Sequence, residues 1–247
     1  MRIENSFIPV RGVGEGTERK LWRQGVTHWD AFDPSAVGAK TGERIQDFID
    51  AGREALDTGD ARFFGERFPS NERWRLYENF RDEAVFFDIE TTGLSADRDV
   101  VTTVSFHQGD ETTTLVRDDD LTRERVADLL DAPLLLTFNG ASFDIPFLEQ
   151  SFDLSLDAPH LDLMYPAKRV GLSGGLKAIE PEVGIERDRP DISGMDAVRL
   201  WREHERGVDG SLETLISYNR EDTVNLRTLA DHVTRELHRD VFEAAVE

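Results

Sequence analysis

The chain has 247 residues, 38% of them hydrophobic, enough for one α/β domain with a filled core plus a smaller appendage. It contains no cysteine, so disulfide partners and thiolate metal sites are excluded, and any metal must be held by carboxylates or His. The formal charge of -21 runs against the basic surface that phosphate binding ordinarily needs. Nearly all the cations are Arg, with lysine only at Lys20, Lys40, Lys168 and Lys177. One reading is a halophilic surface, because at molar salt the Debye length is about 3 Å and the acids barely repel one another or a nucleic acid. The other is an acidic protein with no nucleic-acid partner. No apolar run reaches membrane-spanning length and no signal-like segment opens the chain, so a soluble cytoplasmic protein without a membrane partner is expected.

Residues 1–80 differ in texture from the rest. After a short apolar run, Phe7 to Val10, Gly12 and Gly14 signal a tight turn, and Thr17 is expected to cap a helix that carries Leu21 and Trp22 and ends at Gly25. A second helix is expected from Thr41 to Leu56, and the Arg- and aromatic-rich stretch Phe63 to Phe80 reads as further helices packed on the domain beyond residue 80. The Gly-Val-Gly element resembles half of a helix–hairpin–helix motif, which would touch DNA phosphate through backbone N–H groups. No sizeable helix precedes it, and a cap on the larger domain is the competing reading.

At residue 84 the pattern changes. Ala84 to Ile89 reads as a buried strand, and Val100 to His107 and Glu111 to Val116 as a hairpin turning at Gln108-Gly109-Asp110. Leu121 to Leu130 reads as a helix, Leu134 to Phe138 as a second buried strand, Ala141 to Ser151 as a helix and Leu161 to Met164 as a short strand. A long helix closes the chain from about Leu212 to His238, giving an α/β domain over 81–240 with a mixed sheet.

Three segments carry chemistry. In FFDIETTGL, residues 86–94, Asp88 and Glu90 lie two apart on a strand and so share one face. Two acids on a buried strand are costly unless compensated, and a divalent cation compensates them; a strand end facing solvent is the bland alternative. In LLLTFNGASFDIPFL, residues 134–148, Asn139 falls at the carboxyl end of a strand, where open α/β sheets place ligands, and Asp144 comes shortly after it among apolar neighbours. Asn139 and Ser142 also suit a plain turn and N-cap. In YNREDTVNL, residues 218–226, Tyr218 and Asp222 share a helical face above an apolar stripe of Leu215, Val224, Leu226 and Leu229, with Glu221 expected in solvent.

In order and context these segments resemble the DEDD 3′–5′ exonucleases of the ribonuclease-H-like superfamily, over residues 84–235. Tyr at 218, with Ser and not His at 217, points to the tyrosine type, and His160-Leu161-Asp162-Leu163 resembles a segment of its YprB-like branch. The resemblance implies a five-stranded mixed sheet flanked by helices, with the acids clustered at one edge. It implies a two-metal hydrolase acting on DNA or RNA, with Mg²⁺ or Mn²⁺ held by Asp88, Glu90, Asp144 and Asp222. Asp88 would bridge the ions, Glu90 and Asp222 would complete one site, Asp144 the other, and Tyr218 would orient the attacking water. A single-stranded end would meet the backbone of Thr91, Thr92 and Gly93. Asn139, and Lys168 and Arg169 in the locally basic stretch 166–177, are further candidate contacts. Asp162 is expected to bond structurally, His160 to be a strand-end residue and Phe143 to fill the core. The alternatives are a catalytically weak binding module of the same fold and a phosphoesterase acting on short oligonucleotides.

Overall fold

The computed structural model describes residues 1–247. The amino-terminal region contains helices α1 (Glu15–Arg23), α2 (Ala39–Asp57), α3 (Ala61–Arg67) and α4 (Tyr77–Phe80), with a 3-10 turn at Ser70–Leu76 before α4. Then come strands β1 (Val85–Thr91), β2 (Val101–Gln108) and β3 (Glu111–Val116), helix α5 (Arg123–Leu129), β4 (Leu135–Thr137), α6 (Asp144–Phe152) and β5 (His160–Asp162). The chain finishes with α7 (Met164–Arg169), α8 (Leu176–Ile179), α9 (Gly194–Glu205) and the long α10 (Ser211–His238), and then short helical turns. No helix is long and apolar enough to cross a membrane.

The five strands form one sheet in the order β3-β2-β1-β4-β5. The β1–β2 and β2–β3 pairs are antiparallel, and β1–β4 and β4–β5 are parallel. The expected mixed sheet flanked by helices is therefore present. Side chains alternate across β1 as the pleat demands. Val85, Phe87 and Ile89 pack with Val126, Leu130, Phe147 and Leu148 of the α5 and α6 side. Phe86 points the other way, into a core with Leu226, Leu229, Ala230 and Val233 of α10. Asp88 and Glu90 share Phe86's parity and so face α10.

The same core extends through Phe7, Trp22, Ile45, Phe64, Trp74 and Phe80, so residues 1–80 pack directly on the carboxyl half of α10. Polar ties reinforce the contact. Tyr77 Oη donates to Asp231 Oδ1 (2.8 Å), and Arg81 pairs with Asp231 (2.7 Å). Fully buried Arg75 bridges Glu18 (2.9 Å) and Glu72 (2.7 Å), and Glu72 in turn meets Arg169 (2.9 Å). Three local details differ from the sequence reading. Helix α1 starts at Glu15 with Gly14 as N-cap, ahead of Thr17, and only a three-residue 3-10 turn, Ile3–Asn5, precedes the Gly12–Gly14 bend. Val224 is not part of the α10 stripe but is 39% exposed. Glu221 is not a free surface charge; it accepts from Asp188 N (2.6 Å) and pins the loop ahead of α9.

Candidate active site

Three elements bring the acids together. Asp88 and Glu90 come from β1, Asp222 from α10 and Asp144 from the start of α6. Carboxylate oxygens of Asp88, Glu90 and Asp222 all lie within 4.8 Å of one another. Asp144 joins through the backbone: beyond the short ladder with β4, Ile89 N–H donates to Asp144 Oδ1 (3.2 Å). The loop that delivers Asp144 is tightly constrained. Asn139 takes a left-handed φ of 65°, and a side chain at Gly140 would stand 2.2 Å from Thr137 Oγ1, so only glycine fits there. Asp162 accepts the N–H groups of Asn139 (2.7 Å), Ala141 (3.1 Å) and Met164 (3.1 Å), which gives it a structural role in holding that loop. Neighbouring His160 contacts Thr137 Oγ1 through Nε2 (2.8 Å), and burial pushes it down to about 4, so it is neutral at pH 7.

The electrostatics are those of a charge cluster short of cations. Burial, then Asp144, Asp222 and Glu90, hold Asp88 well above the usual carboxylate range, against the pull of Asn219. Burial and the carboxylates of Asp222 and Asp144 do the same to Glu90. Asp144 is raised to about 7, chiefly by burial and against the Ile89 N–H bond. Asp222 is raised by burial although Arg187 stands against it. The Tyr218 hydroxyl is also pushed upward, by burial and then by the charges of Asp222, Glu90 and Asp88.

Two residues at the site, Asn219 and Arg187, carry no signal that the sequence reading uses, and a third, Lys177, enters it only as part of the basic stretch 166–177. Asn219 is fully buried. It donates through Nδ2 to Asp88 Oδ2 (2.7 Å) and to the Asp88 carbonyl (3.2 Å), and its own Oδ1 accepts from Thr103 Oγ1 (3.0 Å). Its position three residues before Asp222 places it on the same helical face and was the available clue. Arg187 contacts Asp222 as an ion pair without hydrogen-bond alignment, and it pairs with fully buried Glu180. Lys177 Nζ sits 4.5 Å from the Tyr218 ring centre, buried and without a hydrogen-bond partner. Lys177 comes from the short helix α8, and Arg187 from the stretch between α8 and α9.

The donor set fits divalent cations. It is all oxygen, as Mg²⁺ and Mn²⁺ prefer. Three carboxylates held this close, each raised above its ordinary range, carry charge that a bound cation would offset. Of the sequence-predicted contacts, Thr92 N–H is already spent on Val100 O (3.0 Å) and Thr91 Oγ1 on Gly93 O (2.5 Å). Gly93 is required locally, because a side chain there would meet the Asp99 carboxylate at 2.5 Å. Next to it Leu94 is 87% exposed. Asn139 Oδ1 accepts from Ser142 Oγ (3.0 Å), Lys168 lies 5.9 Å from the Tyr165 ring centre, and Arg169 is bonded to the Asn71 carbonyl as well as to Glu72. Phe143 packs on Phe147, with ring centres 5.5 Å apart.

Residues 85–234 match the RNase_H_2 family of the RNase_H superfamily. The chain belongs to the RNase_H superfamily. Among solved structures, this RNase_H-like chain is similar to Brucella melitensis NrnC, bound to pGG and with bound Mg²⁺. Identity there is 21%, over 69% of this chain and 81% of NrnC, with a TM-score of 0.50. It is also similar to the family B DNA polymerase of the hyperthermophilic archaeon Pyrobaculum calidifontis, at 16% identity over 66% of this chain and 27% of the polymerase, TM-score 0.52. At these identities the likeness speaks for the fold. No curated protein matches the sequence.

Proposed function

We propose that the chain is a metal-dependent nuclease hydrolysing phosphodiester bonds of DNA or RNA, acting as a 3′–5′ exonuclease of the tyrosine-type DEDD class, YprB-like branch. The observation that carries this reading is the meeting of Asp88, Glu90 and Asp222 within 4.8 Å, with Asp144 beside them, on the superfamily's fold. Similarity to NrnC, solved with pGG and with Mg²⁺, supports nucleic acid and Mg²⁺ as substrate and ion.

Asp88, Glu90, Asp144 and Asp222 would hold two divalent cations, which when bound supply Lewis acidity to the phosphoryl oxygens and lower the pKa of an attacking water. The protein's own part is positioning. Asn219 and Thr103 fix the Asp88 carboxylate, and the Ile89 N–H fixes Asp144. Burial and the neighbouring carboxylates favour the protonated Tyr218 hydroxyl in the metal-free site, and its part in this reading is to orient the attacking water by hydrogen bonding. Gly93 N–H, Asn139 and the exposed Leu94 would be contacts for a single-stranded end. The charge of -21 fits work at high salt, where screening allows a phosphate strand to approach.

The test is cleavage of 3′- and 5′-labelled single strands with Mn²⁺ in high salt. Asp88→Ala should lose at least about 10³-fold in rate with its fold intact, and Tyr218→Phe about 10²-fold. Metal-independent cleavage retained in Asp88→Ala would overturn the reading. A catalytically weak binding module is the second reading, favoured by Arg187 lying against Asp222; binding without any cleavage would select it.

A further inference from the structure

A cavity of about 300 Å³ lies between the Ser70–Leu76 turn of the amino-terminal region and β5 and α7, with Ala141 of the Asp144 loop in its wall. It is at the small end of ligand pockets. Its wall combines two chain regions. Ser70, Asn71, Arg73 and Trp74 precede the residues that match the superfamily, whereas Tyr165 and Arg169 lie within them.

The wall offers an unpaired cation and few free acceptors. Trp74 is 1% exposed, its indole Nε1 buried away from the open space. Arg73 joins none of the protein's ion pairs, and of its nitrogens only Nε is buried without a partner. The only carboxylate in the wall, Asp162, is saturated by three backbone N–H groups. Tyr165 leaves 53% of its surface exposed at the rim, with Lys168 beside its ring. A ligand suited to this wall brings a flat aromatic face for Tyr165 and an anion for Arg73. A nucleotide has both.

We propose that this cavity receives one nucleotide unit of a single strand, its base against Tyr165 and its phosphate on Arg73. The proposal rests on the nuclease reading for its substrate and adds a subsite that the superfamily portion does not build alone. Ala141 of the wall stands three residues before Asp144, and the unit bound here would belong to a strand whose end meets the acids.

The test is fluorescence anisotropy with a labelled single-stranded tetranucleotide, in Ca²⁺ and over a salt series, alongside Mn²⁺-dependent cleavage by the wild type. Tyr165→Ala should weaken binding about 10-fold, within the range for losing one base–aromatic stack. Arg73→Ala should weaken it similarly and reduce the salt slope by about one. Melting midpoints check the fold of each variant. Unchanged affinity and salt slope in Tyr165→Ala and Arg73→Ala, or no binding by the wild type, would overturn the cavity. If the wild type cleaves while the variants bind normally, the subsite fails and the nuclease reading stands. If binding depends on the cavity but nothing is cleaved, the nuclease reading fails and the subsite stands.

Discussion

Replacing Asp144 by Asn should stabilise the metal-free protein at neutral and alkaline pH. The carboxyl moves from 3.8 to about 7 on folding, so the folded state holds a proton between those values that the unfolded state has lost. Stability therefore falls as pH rises through that window, and the penalty is complete above it. A rise of that size corresponds to about 4 kcal/mol. The cluster shares protons among Asp88, Glu90 and Asp144, so relieving one member recovers roughly half, ~2 kcal/mol. Asn keeps an oxygen to accept the Ile89 N–H, so the packing survives. For a chain of this size the gain is roughly 4 to 8 °C in melting temperature. The assay is thermal denaturation in EDTA across the neutral range, repeated with Mn²⁺. The variant should melt higher than the wild type in EDTA, with a flatter pH dependence, and should gain less from Mn²⁺. A variant no more stable than the wild type at about pH 8 in EDTA would refute the claim that the Asp144 charge is buried without compensation.

Asn219→Ala removes the amide that holds the Asp88 carboxylate, and Mn²⁺ affinity by calorimetry should fall about 10- to 100-fold, as for other partners of metal ligands. Unchanged affinity would mean that Asp88 is placed by β1 alone. Arg75→Met leaves Glu18 and Glu72 buried without their shared cation and should cost about 3–5 kcal/mol in urea denaturation. A cost below about 1 kcal/mol would show that water reaches those carboxylates.

The strands and the acids were legible because their signals are local. Alternation along β1 puts Asp88 and Glu90 on Phe86's face, and helical spacing puts Tyr218 with Asp222. The hidden residues depend on contacts distant in the chain. Arg187 reaches the site from a stretch with little periodicity, and nothing near it in sequence marks Asp222 as its neighbour. Asn219 reads as an ordinary helical polar residue until β1 and β2 are placed beneath it. Glu221 looks solvent-facing on a helical wheel because the wheel knows nothing of the loop bonded to it at Asp188. Val224 looks like core for the converse reason: an apolar residue was assigned to a face that nothing covers.

The packing of residues 1–80 on α10 bears on aim. The amino half of that helix presents Tyr218, Asn219 and Asp222 to β1, whereas its carboxyl half is gripped by Tyr77, Arg81 and the aromatic core around Trp22. A rod clamped along one end cannot roll about its axis at the other. One residue of roll is about 100° of turn, which would swing Asp222 away from Asp88 and Glu90 altogether. The amino-terminal region is thus placed to set the rotational angle at which α10 presents these side chains, and loosening it would blur the candidate site without touching any of its residues.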